Sequence, residues 1–131
     1  MNMKAIVYTQ YGGPDVLQSA DIEKPSPKDN EVLIRIGAVV VSPSDAAARK
    51  GDPFIIRFFT GLTGPKKSAW VLGSEFAGQV EAVGKDVTRF RPGDRIYGAS
   101  GTSYGGYAEY ISLPEDGALA HQPANVSHAE A

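Results

Sequence analysis

The chain has 131 residues, 42% of them hydrophobic, with no cysteine and a formal net charge of −2. Such a length and composition suit one packed domain and argue against overall disorder, while the lack of cysteine excludes disulfides, thiolate nucleophiles and thiolate zinc sites. The near-balanced charge gives no electrostatic reason to expect nucleic acid or a membrane as partner, since the nearest basic cluster is only Lys66-Lys67. The opening Met1-Asn2-Met3-Lys4-Ala5-Ile6-Val7-Tyr8 holds too short an apolar run for a signal peptide. No stretch approaches the roughly 20 apolar residues that span a bilayer. A cytoplasmic domain is therefore expected.

The 15 glycines and nine prolines punctuate the chain at intervals, which predicts many short strands joined by turns. Lys4–Tyr8 reads as a strand, Tyr11-Gly12-Gly13-Pro14 as a turn, and Val16–Ile22 as a second strand. Two prolines in 25–30 break regular structure. The strongest strand signal is Glu31–Val41, whose closing run Ala38-Val39-Val40-Val41 predicts burial on both faces. Ser42-Pro43-Ser44-Asp45 ends it, with Ser44 or Asp45 available to cap a short helix over Ala46–Arg49 that Gly51 stops.

Phe54, Phe58 and Leu62 recur at i, i+4 and i+8, the spacing of one helical face, before Gly61, Gly64 and Pro65 open a loop up to Trp70. Phe76–Val83 reads as a strand, and Arg91-Pro92-Gly93-Asp94 carries the signature of a type II turn. Arg95–Ala99 and Tyr107–Leu113 are two further strands, separated by a flexible loop over Ser100–Gly106. Beyond Pro114 the chain reads as irregular until Ser127 and Glu130, which form a capping box for a helix just beginning. The fold class expected is mainly β and partly barrel-like, with short helices.

Three segments together resemble the medium-chain dehydrogenase/reductase superfamily. They are Met3–Val7 with Tyr11–Leu17, then Leu72–Gly84 continuing to Phe90–Gly98, and finally Gly105-Gly106-Tyr107-Ala108-Glu109-Tyr110. Their order is similar to that of the GroES-like N-terminal domain of quinone oxidoreductases and alcohol dehydrogenases, and the resemblance runs over essentially the whole chain. It implies a partly open GroES-like β-barrel over residues 1–125, with 126–131 beginning the connection to an NAD(P)-binding Rossmann domain that is absent. The barrel's own last strands would be absent too, leaving an unpaired edge and exposed apolar surface.

Members that use catalytic zinc carry Cys where Ser42 stands and His where Ser74 stands. A serine hydroxyl stays protonated and holds zinc weakly, so the resemblance points to the zinc-free, quinone-oxidoreductase-like branch, with no metal ligand. In that branch the nicotinamide delivers hydride to an enone or quinone, and the protein orients substrate and stabilises developing enolate charge.

The family's site motif, Asn-Pro-x-Asp with an Arg four residues on, reads here Ser42-Pro43-Ser44-Asp45 then Arg49. Ser42 replaces an amide with a hydroxyl that is still able to donate, and Asp45 with Arg49 is expected to pair as a brace. The tyrosine often found two residues after the Asp is Ala47 here, leaving Tyr97 or Tyr104 as substitutes for a proton donor, though packing is their ordinary role. Phe54, Phe58 and Trp70 are candidate pocket walls. Glu75 is expected to be a buried, hydrogen-bonded structural residue, Asp94 and Arg95 to hold a turn, and His121 and His128 to be solvated or packed in loops.

The chain contains no G-x-G, so a dinucleotide fingerprint is not found within it. NADPH or NADH would be bound mainly by the absent domain, with Ser42 the contact from this side. The expected partner is a small enone, quinone or carbonyl substrate, homo-oligomerisation is left open, and this chain alone is expected to be inactive. The alternatives are a zinc-containing alcohol dehydrogenase with unusual ligands and a non-enzymatic GroES-like interaction module.

Overall fold

Residues of high β-propensity at 31–39 and 75–83 pair into the centre of an open antiparallel sheet. The structure, a computed structural model, describes residues 1–101 and 104–131. Thr102 and Ser103, in the loop expected over Ser100–Gly106, lie outside the described residues. The strands and α-helices follow one another as β1 (Asn2–Val7), β2 (Gln18–Glu23), β3 (Glu31–Val39), α1 (Pro43–Lys50), α2 (Arg57–Thr60), β4 (Glu75–Val83), β5 (Arg95–Ala99), β6 (Tyr110–Pro114) and β7 (Ala118–His121). Single 3₁₀ turns occupy Pro14–Val16, Phe54–Ile56 and Lys67–Ala69. The main sheet runs β6-β3-β4-β5-β7, and β1 pairs with β2 in a separate two-stranded sheet. Every pairing is antiparallel. Bridges Ala5↔Ala108 and Val7↔Val71 tie the two-stranded sheet to the rest.

The core lies on one face of the main sheet, where Val32, Ile34, Phe76, Val80, Phe90, Ile96, Ile111 and Leu119 are buried together. A second cluster joins Tyr8, Val16, Ala48, Leu72 and Tyr104, and so fastens α1 to β1 and the loop before β4. Among the described residues no helix is long and apolar enough to cross a membrane.

Burial corrects the expectation for 38–41. Val32, Leu33 and Ile34 are buried, because β3 is flanked there by β4 and β6. The strand stops at Val39, and Val39, Val40 and Val41 are 36%, 48% and 81% exposed. The reason is topological: β6 pairs with β3 only over Glu31–Arg35, so the later residues lack a strand partner on that side.

The irregular reading past Pro114 missed β7, whose Ala118–His121 pairs with β5. Four residues are too few to show a period, and the pairing is made with residues 19 to 25 positions away. The strand expected from Tyr107 starts at Tyr110, with Ala108 a lone bridge, and β2 starts at Gln18 because Val16 closes a 3₁₀ turn.

Local signals fared better. Gly93 takes φ +96° in the turn Arg91–Asp94, and Asp94 N–H donates to Arg91 O at 3.1 Å, as the Pro-Gly pair predicts. Asp94 Oδ2 accepts from Arg91 N–H at 2.9 Å, which holds its carboxyl below the usual range; His121 Nε2 lies 3.2 Å from the same oxygen. Arg95 does not join the turn but donates from Nη2 to Val126 O at 3.0 Å. Ser127 and Glu130 form their capping box, each backbone N–H reaching the other's side chain at 3.2 Å, but only turns follow it and not the helix expected. His128 Nδ1 lies 2.7 Å from Gln122 Nε2, and burial pushes its pKa down.

Candidate functional site

The site is built where β3 hands over to α1. Ser42 precedes Pro43, which disfavours a helical backbone at Ser42, and it takes φ −112°, ψ 162°. Proline's fixed φ and missing N–H suit the first helical position, so the residue before it becomes the cap. Ser42, not Ser44 or Asp45, therefore caps α1, and Gly51 closes it in the left-handed region at φ +67° as expected.

The cap is reciprocal. Asp45 N–H donates to Ser42 Oγ at 3.3 Å, and Ser42 N–H donates to Asp45 Oδ2 at 3.1 Å. Ser42 Oγ–H also donates to Asp45 Oδ2, at 3.0 Å. The other carboxylate oxygen, Oδ1, accepts from Gly73 N–H at 3.0 Å. Asp45 is 2% exposed and has three donors converging on it. One side chain thus clasps the end of β3, the start of α1 and the loop before β4.

Gly73 is required at that clasp. Its φ is +96°, and a Cβ there would sit 2.6 Å from the Tyr107 ring and 2.8 Å from Tyr107 N. Ser74 comes next, so the two serines that replace Cys and His in the zinc-using pattern flank the Asp45–Gly73 bond.

Two expectations about this motif are corrected. Asp45 and Arg49 form no ion pair among the described residues. Arg49 Nε instead donates to Gly12 O at 3.2 Å, because Asp45 faces inward with both oxygens engaged. Arg49 thereby locks α1 to the turn between β1 and β2. Ser42, for its part, has no hydroxyl hydrogen to spare for a ligand. It gives that hydrogen to Asp45 and accepts from Asp45 N–H, which leaves one lone pair free.

Of the proposed aromatic walls, Phe54 and Phe58 are 60% and 65% exposed and stack edge to face at 6.2 Å. They lie at the far end of α1, where Arg57 Nε donates to Gly51 O at 3.0 Å. Eight residues of helix put that end roughly 12 Å from Ser42. Trp70 is half-buried, with Nε1–H donating to Pro65 O at 3.1 Å. An apolar groove of about 500 Å³ does lie beside the cap, lined by Ile36, Ala38, Val39, Val41 and Tyr107 among others. Phe54, Phe58 and Trp70 do not line it.

Tyr107 is the residue that sequence reasoning missed. Burial, then the negative charge of Asp45 nearby, pushes its phenol up to about 12. Its only signal was its place after Gly105-Gly106, which lets the backbone pack against Gly73: Gly106 N–H donates to Gly73 O, and Tyr107 N–H to Leu72 O, each at 2.8 Å.

Tyr104 is buried among the second cluster with φ +52°, its hydroxyl 3.4 Å from Ser44 Oγ. Tyr97 lies in a different groove with Glu75. Glu75 itself is exposed, contrary to the buried role expected, because alternation along β4 turns it outward while Phe76 takes the core. Among the described residues no group of three or more His, Cys, Asp or Glu is placed to hold a metal ion.

The open half-barrel and its capped helix define a GroES-like fold of the alcohol dehydrogenase type. Residues 28–123 match the alcohol dehydrogenase GroES-like domain, and the chain belongs to that family. The chain is 38% identical over 115 residues to a quinone oxidoreductase of Sus scrofa, covering 87% of this chain and 32% of that protein. It superposes on the quinone oxidoreductase of Coxiella burnetii with a TM-score of 0.86 at 30% identity, over 98% of this chain and 39% of that one. The Escherichia coli quinone oxidoreductase complexed with NADPH gives a TM-score of 0.79 at 28% identity, over 95% and 35% of the two chains. The chain spans about a third of the length of the curated relatives it matches.

Proposed function

We propose that this chain is the substrate-side domain of an NAD(P)H-dependent oxidoreductase that reduces an enone, quinone or carbonyl compound without zinc, in the cytoplasm. In this reading residues 1–125 form the domain and 126–131 lead out towards the NAD(P)-binding part. The observation that carries it is the hydrogen bond from Ser42 Oγ to Asp45 Oδ2 at 3.0 Å. Ser42 offers zinc a neutral hydroxyl already engaged by Asp45 in place of a thiolate, which makes it a weak ligand. The same network suits a nicotinamide: the free lone pair on Ser42 Oγ can accept from a carboxamide N–H.

When bound, the reduced nicotinamide supplies the hydride. The chain's own part is orientation. Asp45 fixes the Ser42 rotamer through two bonds and fixes the Gly73 loop through a third. Tyr107, its phenol held protonated at neutral pH by burial and by Asp45, braces the clasp at the edge of the adjoining groove.

In the full-length protein, Ser42→Ala is expected to lower kcat/KM about tenfold, or about 1.4 kcal/mol of transition-state stabilisation. It should also cost about 1 kcal/mol of stability, because Ser42 is a helix cap. Steady-state kinetics beside urea unfolding separate the two, and unchanged kinetics would reduce Ser42 to a structural cap. Elemental analysis of the purified protein should find zinc far below stoichiometric. Roughly one tightly held zinc per chain would instead support the zinc alcohol dehydrogenase alternative.

A further inference from the structure

The segment after β7 is held to the main sheet through one buried amide. Gln122 Nε2 donates to Ile96 O of β5 at 2.7 Å and to Gly78 O of β4 at 3.3 Å. Two carbonyls on that side require the amide nitrogen there, since an oxygen in its place would face two other acceptors. The same Nε2 meets His128 Nδ1 at 2.7 Å. An amide nitrogen has only hydrogens to offer, so Nδ1 accepts, and the ring is neutral with its proton on Nε2.

Strand β3 makes room for that ring. A Cβ on Gly37 would lie 2.4 Å from His128 Cδ2 and 2.8 Å from its Cγ. Gly37 does not take a positive φ, so the clearance under the ring, rather than the backbone, calls for glycine. The charged and titratable groups facing this segment come from three places. Arg95 of β5 donates from Nη2 to Val126 O at 3.0 Å, Glu130 accepts from Ser127 N–H at 3.2 Å, and Glu75 and Tyr97 line the groove that the ring borders. Burial first and the Arg95 charge second push the His128 pKa below its ordinary 6.5.

We infer that His128 is a proton-operated latch, which holds the segment 122–130 on the sheet while neutral and releases it when protonated. A proton on Nδ1 sets two donors face to face. Turning the amide over to meet it would aim Gln122 Oε1 at the Ile96 and Gly78 carbonyls, so the pair has no good arrangement with the ring charged. The released state binds the proton more tightly than the latched one, so the latch is intact above pH 6.5 and is lost as pH falls through the depressed value. That the released segment leads to an NAD(P)-binding part rests on the function proposed above; the latch itself does not.

The experiment is proton–nitrogen NMR of the intact protein, with amide hydrogen exchange, from about pH 7.5 down to about pH 5. At the upper end the His128 ring should carry its proton on Nε2. At the lower end Gln122 N–H, which donates to Arg95 O at 2.9 Å, should have lost about tenfold of its protection factor, while Tyr8 N–H, which donates to Trp70 O at 2.9 Å, keeps its own. His128→Phe leaves a flat ring over Gly37 without a nitrogen and should abolish the pH dependence. Gly37→Ala, which crowds the ring, should lower Gln122 protection at every pH. A proton on Nδ1 at neutral pH, Gln122 protection that stays level across the range, or a loss shared equally by Tyr8 overturns the inference. So does a pH dependence that survives His128→Phe, or a Gly37→Ala variant with unaltered protection. Zinc content and steady-state kinetics enter none of these readouts, so failure of the latch and failure of the proposed function are told apart.

Discussion

Asp45→Ala is expected to destabilise the protein by about 3 kcal/mol, lowering Tm by on the order of 10 °C. The substitution removes the acceptor of three hydrogen bonds at a position only 2% exposed. A buried Gly73 N–H is left without a partner, which costs about 1–3 kcal/mol. Half of the capping box goes with it, at about 1 kcal/mol. Asp45→Asn should fall between: its amide oxygen can still accept from Gly73, but the amide nitrogen then faces the Ser42 donors with no lone pair to offer. Urea unfolding of the three proteins checks the order, and a loss below about 1 kcal/mol for the alanine variant would show that Asp45 is not the clasp. In the full-length protein both variants should lose more activity than Ser42→Ala, because Gly73 and its neighbour Tyr107 move as well.

Gly73→Ala attacks the same clasp from its other side and is expected to cost about 3 kcal/mol or more. Two effects add. Alanine is strained at φ +96°, and the new Cβ would meet Tyr107 N at 2.8 Å and the Gly106 carbonyl carbon at 2.9 Å, both backbone atoms that cannot swing aside. Gly105→Ala is the natural control. Its φ is +99°, yet a Cβ there meets only the Ile111 side chain, at 3.3 Å, so it reports the backbone strain alone, about 1–2 kcal/mol. The difference between the two variants measures the cost of forcing the Tyr107 backbone off Gly73. Equal losses would mean that the close approach at Gly73 has no energetic weight.

The chain's local chemistry determined a good deal by itself. Pro92-Gly93 set a type II turn, Gly51 a helix stop, and the alternation in 31–36 and 76–83 the two central strands, because each is governed by sterics or periodicity within a few residues. The run Ser42-Pro43-Ser44-Asp45 also marked the candidate site, where Ser42 and Asp45 hydrogen-bond to each other. Their partners were decided only in three dimensions. Gly73 lies 28 residues beyond Asp45, and Arg49 turned to Gly12 rather than to Asp45, because Asp45 was already claimed. Tyr107 entered the site through backbone bonds to Leu72 and the close approach at Gly73, which no spacing in its own segment announces. The face of Phe54 and Phe58 was legible as a helical face, but its direction was not. A period shows that side chains share a side, while the contacts of Arg57, Thr60 and Ile56 with Gly51, Tyr11 and the second cluster determine which side meets the protein.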